Sequence, residues 1–150
     1  MVQEKIAAFA LVDDFKGENL TKMGGCLYQN NIIPIVISLK KGRNVVDRDK
    51  TIMTETDLTF ARARTQIDAL ILSDDFSIEQ LMDHGPFRKL VEKMVAEGQP
   101  VTAIGKIPDM LVKAGIITRE QAAEKLITAK SIEQADLVCN RLVDLLRKAA

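Results

Sequence analysis

Four short apolar runs, each broken off by a polar cluster and separated from the next by a helical or irregular stretch, leave this chain few folds to choose from. They are Lys5 to Val12, Ile35 to Leu39, Ala69 to Leu72 and Val101 to Ile104. None alternates apolar with polar residues, so each must be covered on both faces, as central strands of a parallel sheet are. Parallel neighbours need crossovers, and the intervening segments supply them. Leu20, Met23 and Leu27 recur at helical spacing after the first run, with Gly24 and Gly25 weakening that helix and Asn30-Asn31 as a left-handed stop. Phe87, Leu90, Val91, Met94 and Val95 form the apolar stripe of a second helix that ends at Gly98. Ala135, Val138, Cys139, Leu142, Leu145 and Leu146 form that of the last, where Arg147 and Lys148 suit the negative end of the dipole. The expectation is an α/β fold, a doubly wound parallel sheet with helices on both faces, in one domain spanning residues 1–150.

The connections read less clearly. Lys40-Lys41-Gly42 is a turn, and Val45 to Asp49 with Thr51 to Met53 is a small edge excursion. Thr54 to Gln66 shows no clear period and reads as mostly irregular, with a turn or two of helix over Leu58 to Arg64. Ser77 to Gln80 and Thr118 to Gln121 fit capping boxes, and Ser131 to Gln134 a third. His84-Gly85-Pro86 breaks a helix, Gly115 stops a short one over Met110, Leu111 and Ala114, and Lys125 to Ala129 is a last strand.

In such a sheet ligands bind beyond the C-terminal strand ends, which here collect Asp13, Asp14, Ser73, Asp74, Asp75, Gly105 and Lys106. Pro100 to Gly115 is strand, sharp turn and helix, the arrangement in which α/β enzymes expose a nucleophile above helix-end N–H groups. The exposed position is Gly105, which has no side-chain atom to attack with.

Charge and length narrow the partners. With 21 basic and 21 acidic residues the net charge is zero, so the broad positive footprint of a nucleic-acid binder is missing. The longest apolar run, Ile6 to Val12, is far short of the roughly 20 residues that cross a bilayer. Cys26 and Cys139 fall in helical patterns, in a chain with no recognisable signal peptide. They read as reduced, core-packing thiols of a cytoplasmic protein, although position alone leaves a disulfide between them open. His84 is the only histidine, so neither a Cys-His pair nor a His-rich metal cluster can be assembled, and no cofactor or metal is implied.

Several stretches together resemble the ThiJ/PfpI superfamily, a branch of the class I glutamine amidotransferase-like, flavodoxin-like fold. VTAIGKIPDMLVKAGII (101–117) looks like that family's Val-Ala-Ala-Ile-Cys-His-Gly-Pro elbow and the helix end that follows it. VVDRDKTIMTETDL (45–58) is similar to its Val-x-Val-Asp-Lys-Thr segment, and IDALILSDD to its Tyr-Asp-Ala-Leu-Val-Leu-Pro-Gly-Gly. LITAKSIEQADLVCNRLVDLL (126–146) looks like its closing strand and helix. The resemblance implies the same fold and a homodimer. At the functional positions it departs from the pattern: the nucleophilic Cys falls on Gly105, the following His on Lys106, and the next Gly on Ile107, with only Pro108 kept. The family's acid near the first strand falls on Asn19, with Glu18 one residue away, and its oxyanion-hole Gly-Gly on Asp74-Asp75. The chain is also shorter than the family between Ile117 and Lys125.

These departures favour a non-catalytic binding or assembly module whose small-molecule ligand the residues do not name. A second reading is an enzyme using Lys106, with Asp13, Asp14, Asp74 or Asp75, on a small carbonyl compound. A third is a receiver-like phosphoacceptor, holding magnesium between strand-end carboxylates. At the elbow, four carboxylates around one lysine predict an internally neutralised site with little affinity for anions.

Overall fold

The structure is a computed structural model that describes residues 4–148. Six strands form one sheet in the order β5-β2-β1-β6-β7-β8, and every pairing in it is parallel. β1 is Lys5–Ala10, β2 Ile32–Ser38, β5 Leu58–Thr59, β6 Ala69–Leu72, β7 Val101–Ile104 and β8 Leu126–Ala129. β3 (Asn44–Val46) and β4 (Met53–Glu55) make a separate antiparallel hairpin. The helices are α1 (Gly17–Gln29), α2 (Phe60–Ala63), α3 (Asp75–Leu81), α4 (Gly85–Ala96), α5 (Ile107–Lys113), α6 (Arg119–Lys125) and α7 (Ala135–Lys148).

The strands are apolar throughout because successive side chains leave opposite faces of the sheet, and both faces are covered. Ala7 and Phe9 of β1, with Ala69 and Ile71 of β6, enter a core closed by Met23 and Leu27 of α1 and by Val138, Cys139 and Leu142 of α7. Ala8 and Ala10, with Leu70 and Leu72, enter the opposite core, closed by Phe87, Val91 and Met94 of α4 and Leu111 of α5. Each strand thus feeds two cores.

The four expected core strands form, two of them with shifted ends. β1 stops at Ala10 rather than Val12, and β2 begins at Ile32 rather than Ile35, running through Pro34. Proline is tolerated there because β5 pairs only with Ile37 and Ser38, which leaves β2 a sheet edge at Pro34. Asn31 takes the left-handed conformation expected of a helix stop (φ 61°), and Gly98 and Gly115 do the same. In α7, Val143 is buried where Leu145 was expected; Leu145 is 43% exposed.

Two local readings are corrected. The stretch read as irregular holds β5 and α2, two short elements in which neither period could show. The third helix is capped by Asp74 rather than Ser77: Asp74 is extended (φ −114°, ψ 104°) and its side chain accepts from the Ser77 N–H. Both residue types cap well, and burial of Ser77 inside the first turn decides between them. The capping box at Thr118 and Gln121 is present as read.

The hairpin is tied down by one buried carboxylate. Asp47 accepts from the Thr51 N–H and the Ile52 N–H, each at 2.8 Å, and from the Thr51 hydroxyl at 3.1 Å. The Ile52 N–H is the largest of the influences that hold its carboxyl below the usual range, against the contrary push of burial. Gly17 opens α1 against this turn because a Cβ there would stand 2.6 Å from Ile52 Cδ1 and 2.9 Å from Asp47 Oδ2.

Candidate functional site

At the end of β7 the chain turns sharply at Gly105, whose φ of 64° lies in the left-handed region, and enters α5 with Pro108 in its first turn. This is elbow geometry. The Gly105 N–H, however, donates to the Ala129 carbonyl at 2.8 Å, so it is spent on the neighbouring strand end. A Cβ would meet only the Lys130 carbonyl, at 3.6 Å; space does not force glycine here, but the dihedral favours it.

Lys106 is exposed, and its Nζ lies 3.7 Å from Asp75 Oδ2. Lys16 approaches the other oxygen of the same carboxylate at 3.2 Å. Burial pushes the Asp75 carboxyl up, but the Lys16 hydrogen bond and charge, the Lys106 charge and the Phe76 N–H outweigh it and hold the group below its ordinary value. Only one of the four expected acids therefore stands beside Lys106.

Two of the other three are engaged elsewhere. Asp74 is fully buried and accepts from the Lys16 N–H at 3.1 Å, the Ser77 N–H at 3.0 Å and the Ser77 hydroxyl at 2.6 Å. Ser77 in turn accepts from the Val12 N–H at 3.1 Å, so the network locks the end of β1 to α3. Asp13 accepts from the Val46 N–H at 3.0 Å, and Asp14 is exposed with φ 73°. Among the described residues no three His, Cys, Asp or Glu side chains come together as a metal would require.

Asn19 and Glu18 point to different environments. Asn19 is buried and its amide donates to the Ser73 carbonyl at 2.8 Å. Glu18 is exposed and pairs with Lys22 one turn on, at 2.7 Å. His84 precedes α4 with no capping bond from its side chain and stacks edge-on against Phe60 with centroids 5.7 Å apart. α6, capped by Thr118, fills most of the stretch from Ile117 to Lys125 and leads directly into β8.

The reading of both cysteines as reduced thiols is overturned. Cys26 and Cys139 form a disulfide between α1 and α7, with Cα atoms 6.4 Å apart across 113 residues of sequence. The two helices lie side by side on one face of the sheet, a long-range juxtaposition that periodicity cannot reveal. The bond removes the argument from thiols for a cytoplasmic location. No helix among the described residues is long and apolar enough to cross a membrane.

Sequence reasoning also missed a cavity of about 400 Å³ over the ends of β1 and β2, between the hairpin and α3. Asp13, Asp14, Lys40 and Arg43 are among the residues that line it. Lys40 stood in the sequence only as part of a turn.

No protein-family model matches the sequence, and no curated protein matches it. Solved structures match its fold closely, and they are DJ-1/ThiJ/PfpI superfamily proteins. A ThiJ/PfpI domain protein from Brachyspira murdochii superposes with a TM-score of 0.79 at 15% identity, over 99% of this chain and 100% of that one. DJ-1beta from Drosophila melanogaster gives 0.77 at 16% identity, over 96% of this chain and 91% of the other. A two-domain protein from Anabaena variabilis, with DJ-1/ThiJ/PfpI-like and ferritin-like domains, gives 0.80 at 12% identity; the match covers 96% of this chain and 48%, about half, of that one. At these identities the likeness is one of fold.

Proposed function

We propose that the chain is a non-catalytic binding or assembly module built on the ThiJ/PfpI-like fold. The observation that carries this is Gly105, an elbow residue with no side chain and with its N–H already donated to Ala129. An acyl or carbonyl group placed there would meet no nucleophile, and an oxyanion would have to compete with a strand-end carbonyl for that donor. Asn19 and Lys106 stand where the resemblance places the partners of a thiol, and both are engaged elsewhere.

Purified protein should show no turnover of dicarbonyl compounds, glycated amines or peptides, before or after alkylation. Gly105→Cys should remain inactive, because Asn19 and Lys106 leave the new thiol without its usual partners. Turnover by the unmodified protein would sink the proposal. The Lys106 alternative is weakened by geometry: its Nζ lies at the surface beside the Asp75 carboxylate rather than in an enclosed pocket that would hold a carbonyl against it. Borohydride reduction in the presence of a small aldehyde should label Lys106 no faster than the other exposed lysines.

Assembly, on this proposal, is as a homodimer, in keeping with the resemblance. Gly24 and Gly25 leave the backbone of α1 open along an apolar groove of about 400 Å³ shared with Pro34 and Ile35, and Met53 is 67% exposed. Sedimentation at monomer mass through the micromolar range would remove this part.

A further inference from the structure

The Cys26–Cys139 bond joins two sulfurs in unlike surroundings. Cys139 is fully buried, in the core that Met23, Leu27, Val138 and Leu142 share, whereas Cys26 is only half-buried at the edge of that core. Cys26 also has polar company. The Asn30 side-chain N–H donates to the Cys26 carbonyl at 2.8 Å, and its Nδ2 lies 3.9 Å from Cys26 Sγ. Asn30 in turn accepts from Arg147 of α7 at 3.5 Å, in an exposed contact. Gly25, the residue before Cys26, is exposed, and a Cβ there would meet nothing within 4 Å, so the helix surface next to Cys26 is uncovered.

A disulfide opens when a thiolate attacks one sulfur and expels the other, so access decides which sulfur receives the newcomer. Attack at Cys139 would need a path through the core between α1 and α7, but Cys26 stands at its rim. We propose that Cys26 is the acceptor sulfur of a thiol-exchange site for low-molecular-weight thiols of the glutathione class. The small thiolate bonds to Cys26 Sγ, the Cys26–Cys139 bond breaks, and its electron pair leaves on Cys139 Sγ, which takes up a proton. Apolar surroundings oppose the thiolate form, so the freed Cys139 is slow to attack back and the mixed disulfide on Cys26 persists. A second small thiolate then releases the oxidised small thiol as its disulfide and leaves Cys26 reduced. The chain has only these two cysteines, so exchange removes its one possible internal cross-link and leaves α1 and α7 joined by packing and by the Arg147–Asn30 contact. None of this depends on what the elbow at Gly105 does.

The oxidised protein, held at neutral pH in a mixture of reduced and oxidised glutathione, is quenched with acid, digested at low pH and mapped by mass spectrometry. It should carry one glutathione, on the peptide that contains Cys26. Iodoacetamide added to the reduced, folded protein should label Cys26 at least about tenfold faster than Cys139. Cys139→Ala should take up one glutathione from oxidised glutathione, and Cys26→Ala should react only once urea unfolds it. Circular dichroism checks that each variant is folded; where loss of the cross-link unfolds one, mapping on the parent protein still decides. Exchange through the unfolded chain exposes both sulfurs alike, so equal modification of Cys26 and Cys139 would overturn the site. An adduct confined to Cys139, or a disulfide that glutathione leaves untouched until urea unfolds the chain, would overturn it too.

Discussion

Around Gly105 and Asp74 most polar groups of the strand ends are spent on the chain itself, whereas over β1 and β2 Asp14, Lys40 and Arg43 line a shared cavity and have no ionic partner among the described residues. The same sheet edge supplies both regions. They differ in burial: Asp74 and Asn19 lie inside, where an unmatched polar atom is expensive, and the three cavity charges are exposed, where water can satisfy them. Ser73 is the exception near the elbow, since its hydroxyl is buried without a partner. The spent groups at the elbow stabilise the fold, although a cavity of about 500 Å³ opens beside Gly105, lined also by Pro108, Arg119 and Lys130.

The largest expected effect belongs to neither region and serves as the reference. Reducing the Cys26–Cys139 bond, which spans 113 residues, should lower stability by roughly 4–5 kcal/mol on the chain-entropy account. Urea unfolding with and without reductant measures it.

Next comes the elbow side. Asp74→Ala strands the Lys16 N–H, the Ser77 N–H and the Ser77 hydroxyl, and at about 1–3 kcal/mol for each buried group left unmatched the loss should reach about 3 kcal/mol or more. A loss below about 1 kcal/mol in urea unfolding would mean that the two regions do not differ as described. Gly105→Ala is a smaller perturbation. Its Cβ has room, so the cost should be only that of a left-handed non-glycine residue, about 1–2 kcal/mol. A much greater loss would show that space as well as dihedral excludes a side chain from the elbow.

The smallest effect is electrostatic. Burial pushes Asp75 up, but Lys16, Lys106 and the Phe76 N–H together set its folded pKa below the unfolded one. Its contribution is therefore complete above the unfolded value, near pH 4, and is lost as pH falls through the folded value. Lys106→Met should move the Asp75 titration back toward the ordinary range and cost less than about 1 kcal/mol, because the pair is partly exposed. Carboxyl carbon shifts followed against pH would show the movement, and an unchanged titration would place Lys106 outside the neutralised group.

Apolar runs were the legible part of the fold. Ala69–Leu72 and Val101–Ile104 form strands at the read boundaries because a fully buried strand must be apolar at every position. The ends of β1 and β2 shifted because pairing partners set where a strand stops. At the site, the residues gathered at the sheet edge were legible from the strand ends, but their partners were not. Asp74 and Ser77 are both able to cap, and only burial of Ser77 chose between them; Glu18 and Asn19 are adjacent in sequence yet face solvent and interior.

Composition and periodicity by themselves determined a parallel α/β sheet covered on both faces and a glycine at the turn from β7 into α5. Those follow from local steric and burial rules that act within a few residues. Tertiary structure alone decided the disulfide between α1 and α7, the burial of Asp74 beneath Lys16 and Ser77, and the cavity that Asp13, Asp14, Lys40 and Arg43 line together. Each joins residues far apart in the chain, and no local spacing records which helices and loops the packing of the sheet will set side by side.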